Sequence, residues 1–108
     1  MSHPEFRIDE SVARLTLAFR GRLDSAGCAT IHDSVQNAVQ QAVPGQALRF
    51  DLAGSDFVAS AFLRLCILAA KQVGGERFEL ANLAPAVREV FVMAGLDQHL
   101  RIVESAAT

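Results

Sequence analysis

Ala47-Leu48-Arg49-Phe50-Asp51-Leu52 runs into Ala53-Gly54-Ser55-Asp56-Phe57-Val58-Ala59, and then into Ser60-Ala61-Phe62-Leu63-Arg64-Leu65-Cys66-Ile67-Leu68-Ala69-Ala70-Lys71-Gln72-Val73. The opening of this stretch alternates apolar and polar residues, the period of a strand with one buried face. Its end repeats apolar residues at helical spacing and stops at Gly74-Gly75. A strand that leads through a short loop into a helix predicts a crossover unit and a parallel neighbour. Outward from this unit the same alternation recurs. Leu15, Leu17 and Phe19 alternate with Arg14, Thr16, Ala18 and Arg20, and Phe78 and Leu80 alternate with Arg77, Glu79 and Ala81. A sheet covered by helices on both faces would show continuous apolar strands instead. The second face, carrying Arg14, Arg20, Arg49, Asp51, Arg77 and Glu79, is therefore expected to be wet or lightly covered.

Strands are expected at about 12–20, 47–52 and 77–81. A short strand at 5–8 is expected to pair with the first through a turn at Asp9-Glu10-Ser11. Helices are expected at about 25–43, 60–73 and 85–94. Asp24 is a good N-cap for the first, whose stripe is Cys28, Ile31, Val35, Ala38 and Ala42 and which stops before Pro44-Gly45. Pro85 suits the first helical position of the third, and Gly95 suits its end. The expected architecture is a two-layer α/β domain, a mixed sheet with helices packed on one face.

The 108 residues are expected to make one domain, with an ordered core at about 5–104 and a frayed tail at 105–108. Hydrophobic residues at 51% exclude disorder, and no apolar run approaches the roughly 20 residues of a membrane span. A formal net charge of -2 argues against a nucleic-acid binder, and seven Phe without Trp or Tyr offer no platform for stacked bases. Met1-Ser2-His3-Pro4-Glu5 has neither a basic start nor an apolar stretch, so a cytoplasmic location is expected. Cys28 and Cys66 form no CxxC and read as small buried hydrophobes.

Catalytic signatures are absent: there is no Gly-rich phosphate loop, no HExxH and no GxSxG. His3, His32 and His99 are scattered, without metal-ligand spacing. The chain is read as a non-enzyme with no cofactor and no metal. The segment from Asp51 to Arg64 is the candidate functional segment, because functional groups of open α/β sheets collect at the carboxyl ends of strands. Ser60 falls at an N-cap or first-turn position. At about 100° per residue, Ser60, Arg64 and Lys71 share a stripe, with Leu68 and Gln72 beside it and Ile67 flanking. Phe62, Leu65, Cys66, Ala69 and Val73 lie opposite. A face apolar at its middle and polar at its rim suits a protein partner. The candidate docking residues are Ser55, Asp56, Phe57, Ala59, Ser60, Ala61, Arg64, Ile67 and Leu68.

The order of motifs resembles the STAS domain family, shared by sulfate transporters and anti-sigma-factor antagonists, over about 6–104. Gly21-Arg22-Leu23-Asp24 resembles the family's Gly-x-Leu-Asp. Leu48-Arg49-Phe50-Asp51-Leu52-Ala53-Gly54 resembles its third-strand segment. Val58-Ala59-Ser60-Ala61-Phe62-Leu63-Arg64 resembles its signature loop, and Leu80-Ala81-Asn82-Leu83-Ala84-Pro85-Ala86-Val87-Arg88 and Gly95-Leu96-Asp97 its later landmarks. The resemblance implies a bacterial cytoplasmic partner-switching protein of transcription regulation, an anti-sigma-factor antagonist. It would bind a serine-kinase/anti-sigma-type partner, be phosphorylated on Ser60, and be restored by a phosphatase. The resemblance also covers two alternatives, a small accessory subunit of a lipid-transport ABC complex and a phosphorylation-independent scaffold. Ala59 stands where the family commonly has Asp or Ser. Phe62 stands where it has Gly, and is expected either to fill the core or to alter the docking surface.

Overall fold

The computed structural model describes residues 4–103; His3 and the tail at 105–108 lie outside the described residues. Five strands form one sheet in sequence order: β1 (Glu5–Glu10), β2 (Arg14–Arg20), β3 (Ala47–Gly54), β4 (Phe78–Ala81) and β5 (Arg101–Val103). β1 pairs antiparallel with β2, and every later pairing is parallel. Three helices, α1 (Ser25–Val39), α2 (Ser60–Val73) and α3 (Pro85–Met93), make the crossovers between the parallel strands. Each crossover advances one place in the same direction across the sheet. Right-handed connections that all advance one way put every helix on one face. The result is the two-layer α/β architecture expected from the sequence.

The core lies between these layers. Leu15, Leu17 and Phe19 of β2, Leu48, Phe50 and Leu52 of β3, and Phe78 and Leu80 of β4 are buried against helix residues such as Ile31, Val35, Leu65, Val87 and Phe91. The register follows the alternation, with Leu17 opposite Phe50 and Phe50 opposite Leu80. Phe62 goes into this core. Its ring meets Phe19 edge-on at 5.1 Å and lies 6.1 Å from Phe50, so it fills space between α2 and the sheet.

The structure moves several expected boundaries. α1 stops at Val39, because Gln41 N–H and Ala42 N–H donate to carbonyls three residues back, at 3.0 and 3.1 Å. That tightening precedes Pro44, whose ring disfavours helical backbone at the residue before it. β1 runs on to Glu10, and the turn falls at 11–13, where Ser11 Oγ accepts from Arg14 N–H at 3.1 Å. Arg77 belongs to a 3-10 turn, Gly75–Arg77, rather than to the strand. β5 was not anticipated. The outer face of the sheet is drier than expected: Glu79 and Ala81 are buried and Arg49 is half-buried. Gly95 has φ 74, the left-handed conformation a helix-ending glycine supplies.

Candidate functional site

The site forms where β2 and β3 hand over to α1 and α2. Past the sheet the two connections keep running side by side, with Leu23 bridged to Val58. Leu23 N–H donates to the Phe57 carbonyl at 3.2 Å, and Ala59 N–H to the Leu23 carbonyl at 2.9 Å. Gly54 permits this approach. A Cβ there would lie 2.7 Å from Arg20 Cβ and 2.8 Å from the Phe19 carbonyl oxygen.

Asp24 organises the first connection. Its Oδ1 accepts from Gly27 N–H at 2.7 Å, capping α1, while Oδ2 pairs with Arg22 Nε at 3.3 Å. The Arg22 guanidinium in turn lies over the Phe57 ring, 3.9 Å from its centroid. One carboxylate thus links the start of α1 to the loop that leads into α2. On the far side, Asp51 Oδ1 accepts from Ala53 N–H and from Asn82 Nδ2, both at 3.0 Å. This ties the end of β3 to the loop after β4.

Ala59 is the N-cap of α2 and offers no side-chain acceptor, so Ser60 is the first helical residue. Ser60 is exposed, and its hydroxyl makes no hydrogen bond among the described residues. The helix face below it matches the angular expectation. Arg64, Lys71 and Gln72 are exposed, Leu68 keeps 44% of its surface, Ile67 is half-buried, and Phe62, Leu65, Cys66 and Ala69 point inward. Arg64 has no ion-pair partner among the described residues. In the loop, Asp56 is exposed and Phe57 half-buried beneath Arg22, while Ala59 and Ala61 are half-buried. Ser55 is only 3% exposed, and its buried Oγ finds no hydrogen-bond partner among the described residues. Its side chain therefore lies behind the surface formed by its neighbours.

The structure adds one wall to this surface. Ser25, Ala29, His32 and Asp33 of α1 face Ala61, Arg64 and Leu68 of α2 across a groove of about 480 Å³, floored by Cys28 and Leu65. Arg22 and these α1 residues escaped sequence reasoning. Their only local signal was the polar side of the α1 stripe, and nothing in the chain said which part of it would face α2. The Cys28 thiol under the groove is pushed up to about 11, by burial first and then by the nearby Asp24 carboxylate. The Cys66 thiol is likewise pushed well above the ordinary thiol value, by burial first and then by the nearby Cys28. Both cysteines are free. No group of His, Cys, Asp and Glu that could hold a metal ion occurs among the described residues. No helix among them is long and apolar enough to cross a membrane.

A one-sided α/β sheet with a polar-rimmed groove at the carboxyl ends of its parallel strands defines the class. The particular family follows from the comparisons. The family profile described as "Mlab, STAS domain" matches residues 6–104, and the chain belongs to the STAS domain family. Among solved structures, an anti-sigma factor antagonist from Mycobacterium paratuberculosis is 19% identical with a TM-score of 0.83, over 95% of this chain and 87% of that one. An anti-sigma-factor antagonist (STAS) domain protein from Planctomyces limnophilus is 23% identical with a TM-score of 0.80, over 90% and 87%. The anti-sigma factor antagonist SpoIIAA, in its unphosphorylated form, is 21% identical with a TM-score of 0.72, over 93% and 89%. At these identities the likeness is one of fold. A comparison with curated proteins gives no match.

Proposed function

We propose that this chain is a non-enzymatic, anti-sigma-factor-antagonist-like interaction module of the cytoplasm. It docks a serine-kinase/anti-sigma-type partner through the start of α2 and the groove beside it, and phosphorylation of Ser60 switches the docking off. The observation that carries this reading is the free, exposed Ser60 hydroxyl at the head of a face whose middle is Leu68. The solved anti-sigma-factor antagonists of the same fold agree with it. Phe62 does not oppose it, because that ring lies in the core and leaves the docking face unchanged.

Incubation with the cognate kinase and ATP, read by intact mass and peptide mapping, tests the switch. The expected result is one phosphate, on Ser60, with weaker binding of the modified chain. Ser60→Asp should bind more weakly with unchanged circular dichroism, and Ser60→Ala should bind constitutively. Binding without any mass gain would remove the switch and leave the docking surface.

That outcome would favour a second reading, a phosphorylation-independent scaffold. Ala59 supports it, because the residue before Ser60 brings no polar side chain to assist phosphoryl transfer. A stable complex with a transporter ATPase through Leu68 and Arg64, without kinase binding, would instead identify an accessory subunit of a lipid-transport ABC complex.

A further inference from the structure

On the face of the sheet away from the helices, cations outnumber acids at one place only among the described residues. Arg7 pairs there with Asp9, and Arg20 with Glu5. Asp51 is engaged by Asn82 and the Ala53 backbone. Towards the start of β3 the balance fails. Arg49 Nη2 and Arg14 Nε both reach the same oxygen, Glu79 Oε1, at 3.2 and 3.4 Å. The side chains of Arg14, Arg49 and Glu79 retain 41%, 14% and 10% exposure. Among the described residues Arg49 Nε has no hydrogen-bond acceptor, and Arg14 Nε, though 3.4 Å from Glu79 Oε1, makes no hydrogen bond. Register places Arg101 of β5 directly beside Glu79, on the side opposite Arg49. Arg101 is exposed and has no ion pair among the described residues. Two guanidiniums therefore share one carboxylate, with a third arginine next to it in register, within a chain whose net charge is -2.

We propose that this row, Arg14, Arg49 and Arg101, is a second docking surface, and that it takes an extended acidic segment of a protein partner. A partly desolvated cation without its own counter-charge is unfavourable, and incoming carboxylates would relieve it. Guanidinium groups favour planar, bidentate carboxylate contacts. From Arg49 to Arg101 the row crosses two strand spacings, about 10 Å, too far for one small oxyanion and suited to successive carboxylates. A lipid surface calls for protruding cations beside an apolar wedge, whereas Arg49 lies low and the outward residues around it include Thr16, Ala18 and Ala81. The surface lies across the sheet from the Ser60 groove, so the two can be occupied together.

A capped octaglutamate peptide, titrated into the whole protein and followed by amide chemical shifts and fluorescence anisotropy, tests this. Shifts are expected at Arg14, Arg49, Glu79 and Arg101. Affinity should fall about tenfold or more between roughly 50 and 300 mM salt. Arg101→Glu should weaken binding at least about tenfold, while Arg64→Glu on the helix side changes it by less than about twofold. If Arg101→Glu loses its circular dichroism, Arg14→Glu takes its place. Absent shifts, undiminished binding by a folded variant, or an equal loss in Arg64→Glu would overturn the proposal. Binding to phosphatidylglycerol vesicles without the peptide would overturn it in favour of a membrane, and inorganic phosphate competing at equal concentration in favour of a simple anion site.

Discussion

At Ser60 a hydroxyl stands at the first position of α2 with no hydrogen bond among the described residues, one residue beyond the place where a cap would act. N-cap serines stabilise helices because their oxygen accepts a first-turn N–H, and here Ala59 holds that position without an acceptor. Ser60→Ala should therefore leave stability within about 0.5 kcal/mol, whereas Ala59→Ser should add about 1 kcal/mol, both read by urea denaturation. A loss of about 1 kcal/mol in Ser60→Ala would show that the hydroxyl caps after all. A phosphate on Ser60 adds a charge of about -1.5 to -2 at a helix N-terminus that favours anions, with Arg64 one turn later, so the modified chain should stay folded. The cysteines set a second residue-scale expectation. Cys28 titrates near 11 when folded and near the ordinary thiol value when unfolded. The folded state thus holds its proton longer, and stability falls as pH rises above the unfolded value towards 11. Unfolding free energies from urea denaturation at about pH 7 and pH 10 should differ by about 1–3 kcal/mol, and Cys28→Ala should reduce the difference.

At the scale of elements, α2 rests on Phe62 inside and Gly54 at its approach. Phe62 packs against Phe19 and Phe50, so Phe62→Ala should cost about 3–5 kcal/mol in chemical denaturation. Gly54→Ala should cost about 1–3 kcal/mol, because its Cβ would press on Arg20 and the Phe19 carbonyl. A smaller effect would mean that the strands can separate at little cost. These elements also show what the sequence makes legible. β2 and β3 could be read because one face is buried, so Leu17 and Phe50 alternate cleanly with Thr16 and Arg49. β5 could not, since Arg101-Ile102-Val103 is too short to display a period. Asp24 was legible as a cap because capping is local. Its second bond, to an Arg22 that stacks on Phe57, depends on two connections meeting in space. The α1 wall of the groove and the arginines around Glu79 depend likewise on which elements become neighbours.

At the scale of the molecule, the same one-sidedness that made the strands legible leaves two unlike surfaces. The helix side presents an apolar centre among polar residues, and the sheet side an excess of guanidinium. The proposed docking through the helix side rests on Leu68, which keeps 44% of its surface while its neighbours Leu65 and Ala69 are buried. Burying that exposed part against a partner is favourable by about 25 cal/mol per Å², and a carboxylate in its place would have to be desolvated. Leu68→Glu should therefore weaken binding of a kinase-type partner at least about tenfold, a hot-spot-sized loss, with circular dichroism and urea midpoint unchanged. Combined with Arg101→Glu, which acts across the sheet, its effect on stability should be additive within about 0.5 kcal/mol. A Leu68→Glu chain that unfolds would place Leu68 in the core, and one that stays folded and binds as before would move the docking surface off α2.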